Sequence, residues 1–371
     1  MIIAAVFAGF ALGHGGLGVI ELDPTSQFVA VVAIVALVVI LFRDGLEVEA
    51  EMLQTEWHLP LRKLVLAMPL TAVLVAVAAH LLTDLSWTEC FLIGALLSPT
   101  DPVLSSSVVT NPRVPRVIRH SLNLESGLND GLALPAVLAF AGALDVNEHG
   151  FVWWKFVLQD VSVGFATGLI VGYVASRLLP ARHGMLALGA AGAAYGLAVL
   201  PPHGNGLIAV FVCAIVLAVR RPDVLAAFEA RSERLITAVK LGVFFVFGTL
   251  LTTSGLFDDG LAAVALVVFL LLVARPVAVF AALAGTKTDT ATRAFMAWFG
   301  PKGVATMTFA LLVLAESGIM DGERIFNIAA LAVLVSIVVH GVTDAPGANW
   351  IAARAEREEQ RGHLGHHIDG A

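Results

Sequence analysis

About twelve long apolar runs follow one another from residue 2 to residue 345, each bounded by charged residues or by proline and glycine. They fall near 2–13, 28–42, 60–82, 88–109, 122–142, 156–176, 184–200, 205–219, 235–252, 258–281, 294–315 and 325–345. No soluble core accommodates so many. A bilayer does, because a helix needs about 20 apolar residues to cross its hydrocarbon. The runs lack the alternation of barrel strands, and an isolated strand cannot cross lipid with its backbone unpaired. The expected fold class is therefore an all-α membrane protein. Composition agrees: 58% of the 371 residues are hydrophobic and 14% charged, against roughly 25% charged in a soluble domain.

Lysine and arginine set the orientation. Outside the apolar runs they concentrate in alternate loops, from Arg43, Arg62 and Lys63 through Arg113, Arg116 and Arg119 to Lys287 and Arg293, whereas the opposite loops carry Lys155 and Arg324. Both termini are therefore expected in the cytoplasm, the chain lying in a cell's inner membrane. Residues 1–350 read as one transmembrane domain and 351–371 as a short tail, whose His363, His366 and His367 read as solvated side chains. There is no basic block for nucleic acid. Cys90 and Cys213, in separate apolar runs, read as small core residues.

Ionisable groups at membrane depth are costly and mark function. In the fourth run Pro99 and Pro102 bracket Thr100 and Asp101. Each proline removes a donor and disfavours helix before it, so this span should break near its middle. In the eleventh run Gly300, Pro301 and Gly303 surround Lys302 and should break that span too. Broken spans seven apart suggest two inverted repeats whose broken helices cross, as in many transporters. Lys302 would then face the carbonyl ends of half-helices. In the fifth run Ser126, Asn129 and Asp130 stand at i, i+3 and i+4, one helical face offering a hydroxyl, an amide and a carboxylate to a small cation. Glu125 lies about 140° around that helix from Asp130. It is the expected partner for Arg275, a guanidinium in an apolar run that otherwise must snorkel. Asp44 and Glu47 stand at the exit of the second span, His80 and His340 read as helix-end or packing residues, and Lys240 lies within the ninth run.

These stretches resemble the NhaP-type branch of the monovalent cation:proton antiporters, relatives of the sodium/hydrogen exchangers. The resemblance rests on LFRDGLE (41–47), GALLSPTDPV (94–103), ESGLNDG (125–131), ARP (274–276), GPKGVAT (300–306) and VSIVVHGVT (335–343), which run in order along nearly the whole chain. It implies that Asp130 binds the ion and the proton, with Asn129 as its neighbour. It also implies Thr100 and Asp101 in the unwound crossing, Ser126 as a supporting ligand, Asp44 facing the ion cavity, and Glu125 with Arg275 as a stabilising pair. Lys302 holds a position often occupied by arginine. Asp130, Ser126 and Thr100 are the expected Na⁺ ligands. The family usually carries one further N-terminal helix, missing ahead of Met1 here, and forms homodimers. The implied function is electroneutral exchange of Na⁺, K⁺ or Li⁺ for H⁺, with K⁺/H⁺ exchange the alternative to Na⁺/H⁺. No enzyme activity and no cofactor beyond the transported ions is implied. A cation channel would need a continuous filter, an organic-solute carrier a larger polar pocket, and a scaffold would have no use for buried Asp101, Asp130 and Lys302.

Overall fold

A computed structural model describes residues 1–47, 57–101, 106–146, 151–180 and 184–368. Pro102 lies outside them, as do the side chains of His363, His366 and His367. The described chain is helical: α1 Ile2–Leu12, α2 Gln27–Leu46, α3 His58–Leu82, α4 Trp87–Leu97, α5 Ser106–Thr110, α6 Arg116–Leu144 and α7 Trp153–Leu178, followed by α8 Ala187–Ala198, α9 Gly206–Arg220, α10 Pro222–Leu250, α11 Gly260–Ala282, α12 Thr290–Trp298, α13 Val304–Ala315 and α14 Gly322–Ile368. With α4/α5 and α12/α13 each forming one interrupted span, these make twelve, as the apolar runs imply. Six are long and apolar enough to qualify as crossings by themselves.

Helix starts follow local chemistry. Ser86 and Glu89 form a reciprocal capping box on α4. Asn205 accepts from Leu207 N and Ile208 N to open α9, and Asp289 accepts from Ala291 N and Thr292 N to open α12. Three helices overrun the apolar runs: α6 begins at Arg116, α10 at Pro222, and α14 continues to Ile368. A charged residue marks where hydrocarbon ends, but it does not interrupt the backbone hydrogen bonds of a helix, which continue past it.

Wide π turns occur at Lys63–Ala67 in α3, Phe156–Val161 in α7 and Leu270–Ala274 in α11. The first and the third precede a proline, Pro69 and Pro276. A proline ring collides with the carbonyl four residues back; here those residues, Val65 and Leu272, belong to the wider turn. These two spans stand seven apart, as do the broken ones, and each packs against the other's π segment.

Two groups of helices result. One gathers α1, α2, α7, α8, α9 and α10; the other gathers α3–α6 and α11–α14. They meet where α2, α9 and α10 face α6 and α13. Large apolar side chains cover the outside, on α7 above all, and face lipid. The chain is a multi-pass membrane protein.

Candidate functional site

Both broken spans unwind at mid-depth and cross. After α4 the chain is non-helical from Ser98 to Asp101, and after α12 from Phe299 to Gly303. Asp101 N–H donates to Pro301 O at 2.8 Å, the direct backbone tie between the two breaks. The carbonyls freed by unwinding cannot stay bare in lipid. Lys302, fully buried, satisfies two of them: its Nζ donates to Pro99 O at 2.8 Å and Ser98 O at 3.2 Å, at the negative end of α4. Asp101 does the converse at the positive end of α13, where its Oδ2 accepts from Val304 N at 2.9 Å. Gly303 is required there, because a Cβ would overlap the Asp101 carboxylate.

α14 braces the crossing. Ser336, His340 and Asp344 stand four apart on one face of it. Ser336 Oγ accepts from Lys302 N at 2.8 Å and lies 3.1 Å from His340 Nδ1, whose Nε2 lies 2.9 Å from Trp298 O. Asp344 accepts from Ser107 N at 3.0 Å and Val108 N at 3.3 Å, capping α5 as Asp101 caps α13.

The face of α6 expected to bind a cation lies beside the crossing. Thr100, Asp101, Ser126, Asn129, Asp130 and Asp44 are all buried. Asn129 Nδ2 donates to Thr100 O at 2.7 Å and Thr100 Oγ1 at 2.9 Å. A carbonyl can only accept, so this bond fixes the amide's orientation and aims Oδ1 away. Asn129 Oδ1 and Asp130 Oδ1 are both buried without a hydrogen-bond partner. Two adjacent acceptors left bare in a low-dielectric interior are expensive unless something positive visits them. The Asp130 carboxyl contacts that of Asp44 on α2, and Lys240 of α10 adds its charge to both. Thr100, Asp101 and Ser126 instead line a separate cavity of about 10 Å³ with Phe299, Gly300 and Pro301. The oxygens expected around one ion thus fall into two neighbouring groups: Asp130 with Asn129 and Asp44, and Ser126 with Thr100 and Asp101.

The expected Glu125–Arg275 pair is present, with a third member. Arg275 Nη2 lies 3.2 Å from Glu125 Oε1, and Lys63 Nζ lies 2.6 Å from Glu125 Oε2. Arg275 also donates from Nε to Ala297 O at 3.1 Å, holding the carbonyl end of α12. Lys63 therefore does not belong with the loop charges among which the orientation argument counted it; it is fully buried. Arg62 beside it reaches outward to Ala282 O at 2.7 Å and Ala284 O at 2.9 Å.

Two larger cavities lie on either side of the acid pair. A cavity of about 410 Å³ between α2 and α10 is lined by Arg43, Glu47, Ser232, Thr237 and Lys240, so it reaches the lysine beside the acid pair. In the other direction the Phe211 ring of α9 lies against Gly131, where a Cβ would strike it, and its backbone approaches Gly45. The glycines following Asp130 and Asp44 thus both border this one residue. Beyond it a second cavity, about 470 Å³, begins at Leu138 and Gly142 of α6 and includes Lys155, Asp160 and Asn205.

Sequence reasoning missed Lys63, Asp344, Phe211 and the bracing role of His340. The four-residue spacing of Ser336, His340 and Asp344 within an apolar run was the signal for two of them. Nothing local distinguishes Phe211 from its neighbours.

Residues 1–350 match the family model described as "Sodium/hydrogen exchanger, transmembrane". The K⁺/H⁺ antiporter NhaP of Alkalimonas amylolytica is 26% identical over 370 residues, covering 96% of this chain and 63% of the relative. The K⁺/H⁺ antiporter NhaP2 of Shewanella sp. MR-4 is 26% identical, covering 90% and 60%. The chain thus spans about three fifths of the length of these curated relatives. The Na⁺/H⁺ antiporter NhaG of Bacillus atrophaeus is 28% identical, covering 93% and 69%. Among solved structures, the sodium proton antiporter MjNhaP1 from Methanocaldococcus jannaschii superposes with a TM-score of 0.82 at 17% identity, covering 95% of this chain and 92% of the other, which shows the same fold. With its crossed breaks, its twelve spans and a family match over 350 of 371 residues, the chain belongs to the sodium/hydrogen exchanger family.

Proposed function

We propose that this protein is a secondary active antiporter that exchanges Na⁺ for H⁺ at Asp130. The observation that carries the reading is the pair of bare, buried acceptors, Asp130 Oδ1 and Asn129 Oδ1, beside the crossing. The deprotonated Asp130 carboxylate takes the cation together with Asn129 Oδ1. Asp44 and a retained water complete the shell, with Thr100 and Ser126 supporting from the adjoining cavity. Protonation of the Asp44–Asp130 pair removes the charge that holds the cation and releases it. Lys302 and Asp101 keep the crossing intact through both states, because they neutralise half-helix ends and not the cargo. Transport follows from the α6/α13 group moving against α2, α9 and α10, which exposes the site to each cavity in turn. The opposing ion gradient is the energy source.

K⁺ is the second candidate cation, because the first relatives are named K⁺/H⁺ antiporters. Placement in a cell's inner membrane with both termini cytoplasmic, residues 351–371 as a cytoplasmic tail, and assembly as a homodimer belong to the same proposal. They rest on the distribution of lysine and arginine and on the family resemblance.

The deciding experiment is ion-driven proton flux in vesicles, comparing Na⁺, K⁺ and Li⁺. Asp130→Asn keeps the shape of the site and removes its titratable group. It should leave a folded protein with no exchange. Exchange at the wild-type rate in that variant would remove Asp130 from the mechanism.

A further inference from the structure

Three arginines cluster where α7 and α9 end on the lysine- and arginine-rich side, and they are treated differently. Arg221 has its charge answered: it pairs with Asp223 through two bonds of 2.9 and 2.8 Å, and its Nη1 donates to Ser176 O and Leu179 O. Arg177 and Arg220 instead converge on one aromatic ring. Their guanidinium carbons lie 5.3 and 4.7 Å from the centroid of Tyr173, and Arg177 Nη2 donates to the Tyr173 hydroxyl at 3.1 Å. Among the described residues no acidic side chain pairs with either. A ring face attracts a cation, but it does not cancel the repulsion between two of them.

A groove of about 450 Å³ opens along the same α7–α9 seam. Leu169 and Tyr173 line it from α7, one turn apart, and Ile215, Val216, Val219 and Arg220 line it from α9. Only its end with Tyr173 and Arg220 is polar. Leu169, Tyr173 and Val219 remain 41%, 46% and 44% exposed, the first two on α7, the least buried of the six long spans. Tyrosine and arginine at the end of a lipid-facing helix lie at headgroup depth.

The occupant must therefore be amphipathic. A small free anion would answer the guanidiniums and leave the groove to something else, and an apolar helix would fill the groove and leave two cations unanswered. We propose that the α7–α9 seam binds an anionic phospholipid, with the headgroup phosphate between Arg177 and Arg220 over Tyr173 and an acyl chain along Leu169, Val216 and Val219. Arg supplies planar donors suited to phosphate oxygens, and anionic lipids populate the cytoplasmic leaflet. The site is independent of which ion is exchanged; it requires only that the protein spans a bilayer.

The test is native mass spectrometry of the detergent-solubilised full chain titrated with phosphatidylglycerol or with phosphatidylcholine of the same acyl chains. The wild type should retain phosphatidylglycerol over phosphatidylcholine by about tenfold or more, the scale expected of two guanidiniums at a lipid surface. Arg177→Gln with Arg220→Gln should reduce that preference severalfold, and Arg177→Lys with Arg220→Lys should keep most of it. Unfolding temperatures measured alongside show that each variant is folded, and sodium phosphate at equal concentration should displace no lipid. Equal retention of the two lipids by the wild type overturns the proposal, whatever the variants do. So does an unchanged preference in a folded double Gln variant, displacement by free phosphate, or a cross-link from Leu169→Cys showing a second copy of the chain seated in the groove.

Discussion

Glu125 is the buried acid with most at stake, because two cations depend on it. Lys63 approaches one carboxylate oxygen at 2.6 Å and Arg275 the other at 3.2 Å. Breaking a buried pair from one side costs about 3–5 kcal/mol, since the remaining charge loses its partner in a dry interior. Glu125→Gln strands both cations and should reach or exceed that range. Lys63→Met strands neither, because Arg275 still holds Glu125, and should cost less. Thermal unfolding in detergent ranks them, and Lys63→Met more damaging than Glu125→Gln would contradict the arrangement. The sequence gives the acid and the arginine away, because each interrupts an apolar run. It hides the lysine, because Lys63 follows Arg62 at the edge of a span and looks like half of an interfacial pair. The π turn that begins at Lys63 directs it inward, and no single-residue pattern announces a π turn.

Breaks in helices were legible because their causes are local. Pro99 and Pro301 disfavour helix before them and Gly300 and Gly303 weaken it, and the unwound stretches fall on this cluster, whereas lone prolines such as Pro135 in α6 and Pro346 in α14 lie within continuous helix. Helix ends were less legible, since α6, α10 and α14 outlast the apolar runs that reveal them. The position of Phe211 depends on tertiary approach and was not legible at all: α9 brings its ring against Gly131, and we take it as the seal of the proposed exchange path. Phe211→Ala should open a path past the site and let cation flow without counter-transported protons. Coupled exchange with no added leak would place the seal elsewhere. The start of α12 carries a pH-dependent contribution. Its cap, Asp289, outside the membrane, is held below the usual carboxylate value mainly by the Thr292 side chain, with the Thr292 amide and Arg354 adding. A depressed carboxyl stabilises the fold above its unfolded value, near 3.9, and loses that contribution as pH falls through the folded value. Asp289→Asn should therefore flatten the acid side of the unfolding profile, while the amide oxygen still caps the helix about as well. Parallel profiles for variant and wild type would show that the cap does not titrate in folding.

Among the described residues, the buried side chains include five acids, Asp44, Asp101, Glu125, Asp130 and Asp344, against four lysines and arginines, Lys63, Lys240, Arg275 and Lys302, and the imidazole of His340. With the acids, lysines and arginines ionised and the imidazole neutral, one negative charge is left over, so a single proton or a single monovalent cation restores neutrality. Structure assigns most of the set to other tasks. Asp101 and Asp344 accept from half-helix amides, Glu125 serves Lys63 and Arg275, and Lys302 serves the carbonyls of Ser98 and Pro99. Asp44, Asp130 and Lys240 remain for the proposed exchange. Two carboxyls in contact repel each other when both are charged, so in that cycle either one proton or one cation occupies the pair. Asn129 adds no second exchangeable proton, because an amide does not titrate in the working range. Under the exchange proposed above, one cation then moves against one proton and no net charge crosses. A membrane potential does about 2.3 kcal/mol of work per charge per 100 mV, and none on such a cycle. The measurement uses vesicles with equal pH and equal Na⁺ on both sides and a potential set by a thiocyanate gradient, since K⁺ is itself a candidate substrate. No pH difference should develop beyond that of empty vesicles. A potential-driven pH difference present with the wild type and absent with Asp130→Asn would mean that the Asp44–Asp130 pair passes more than one proton per cation.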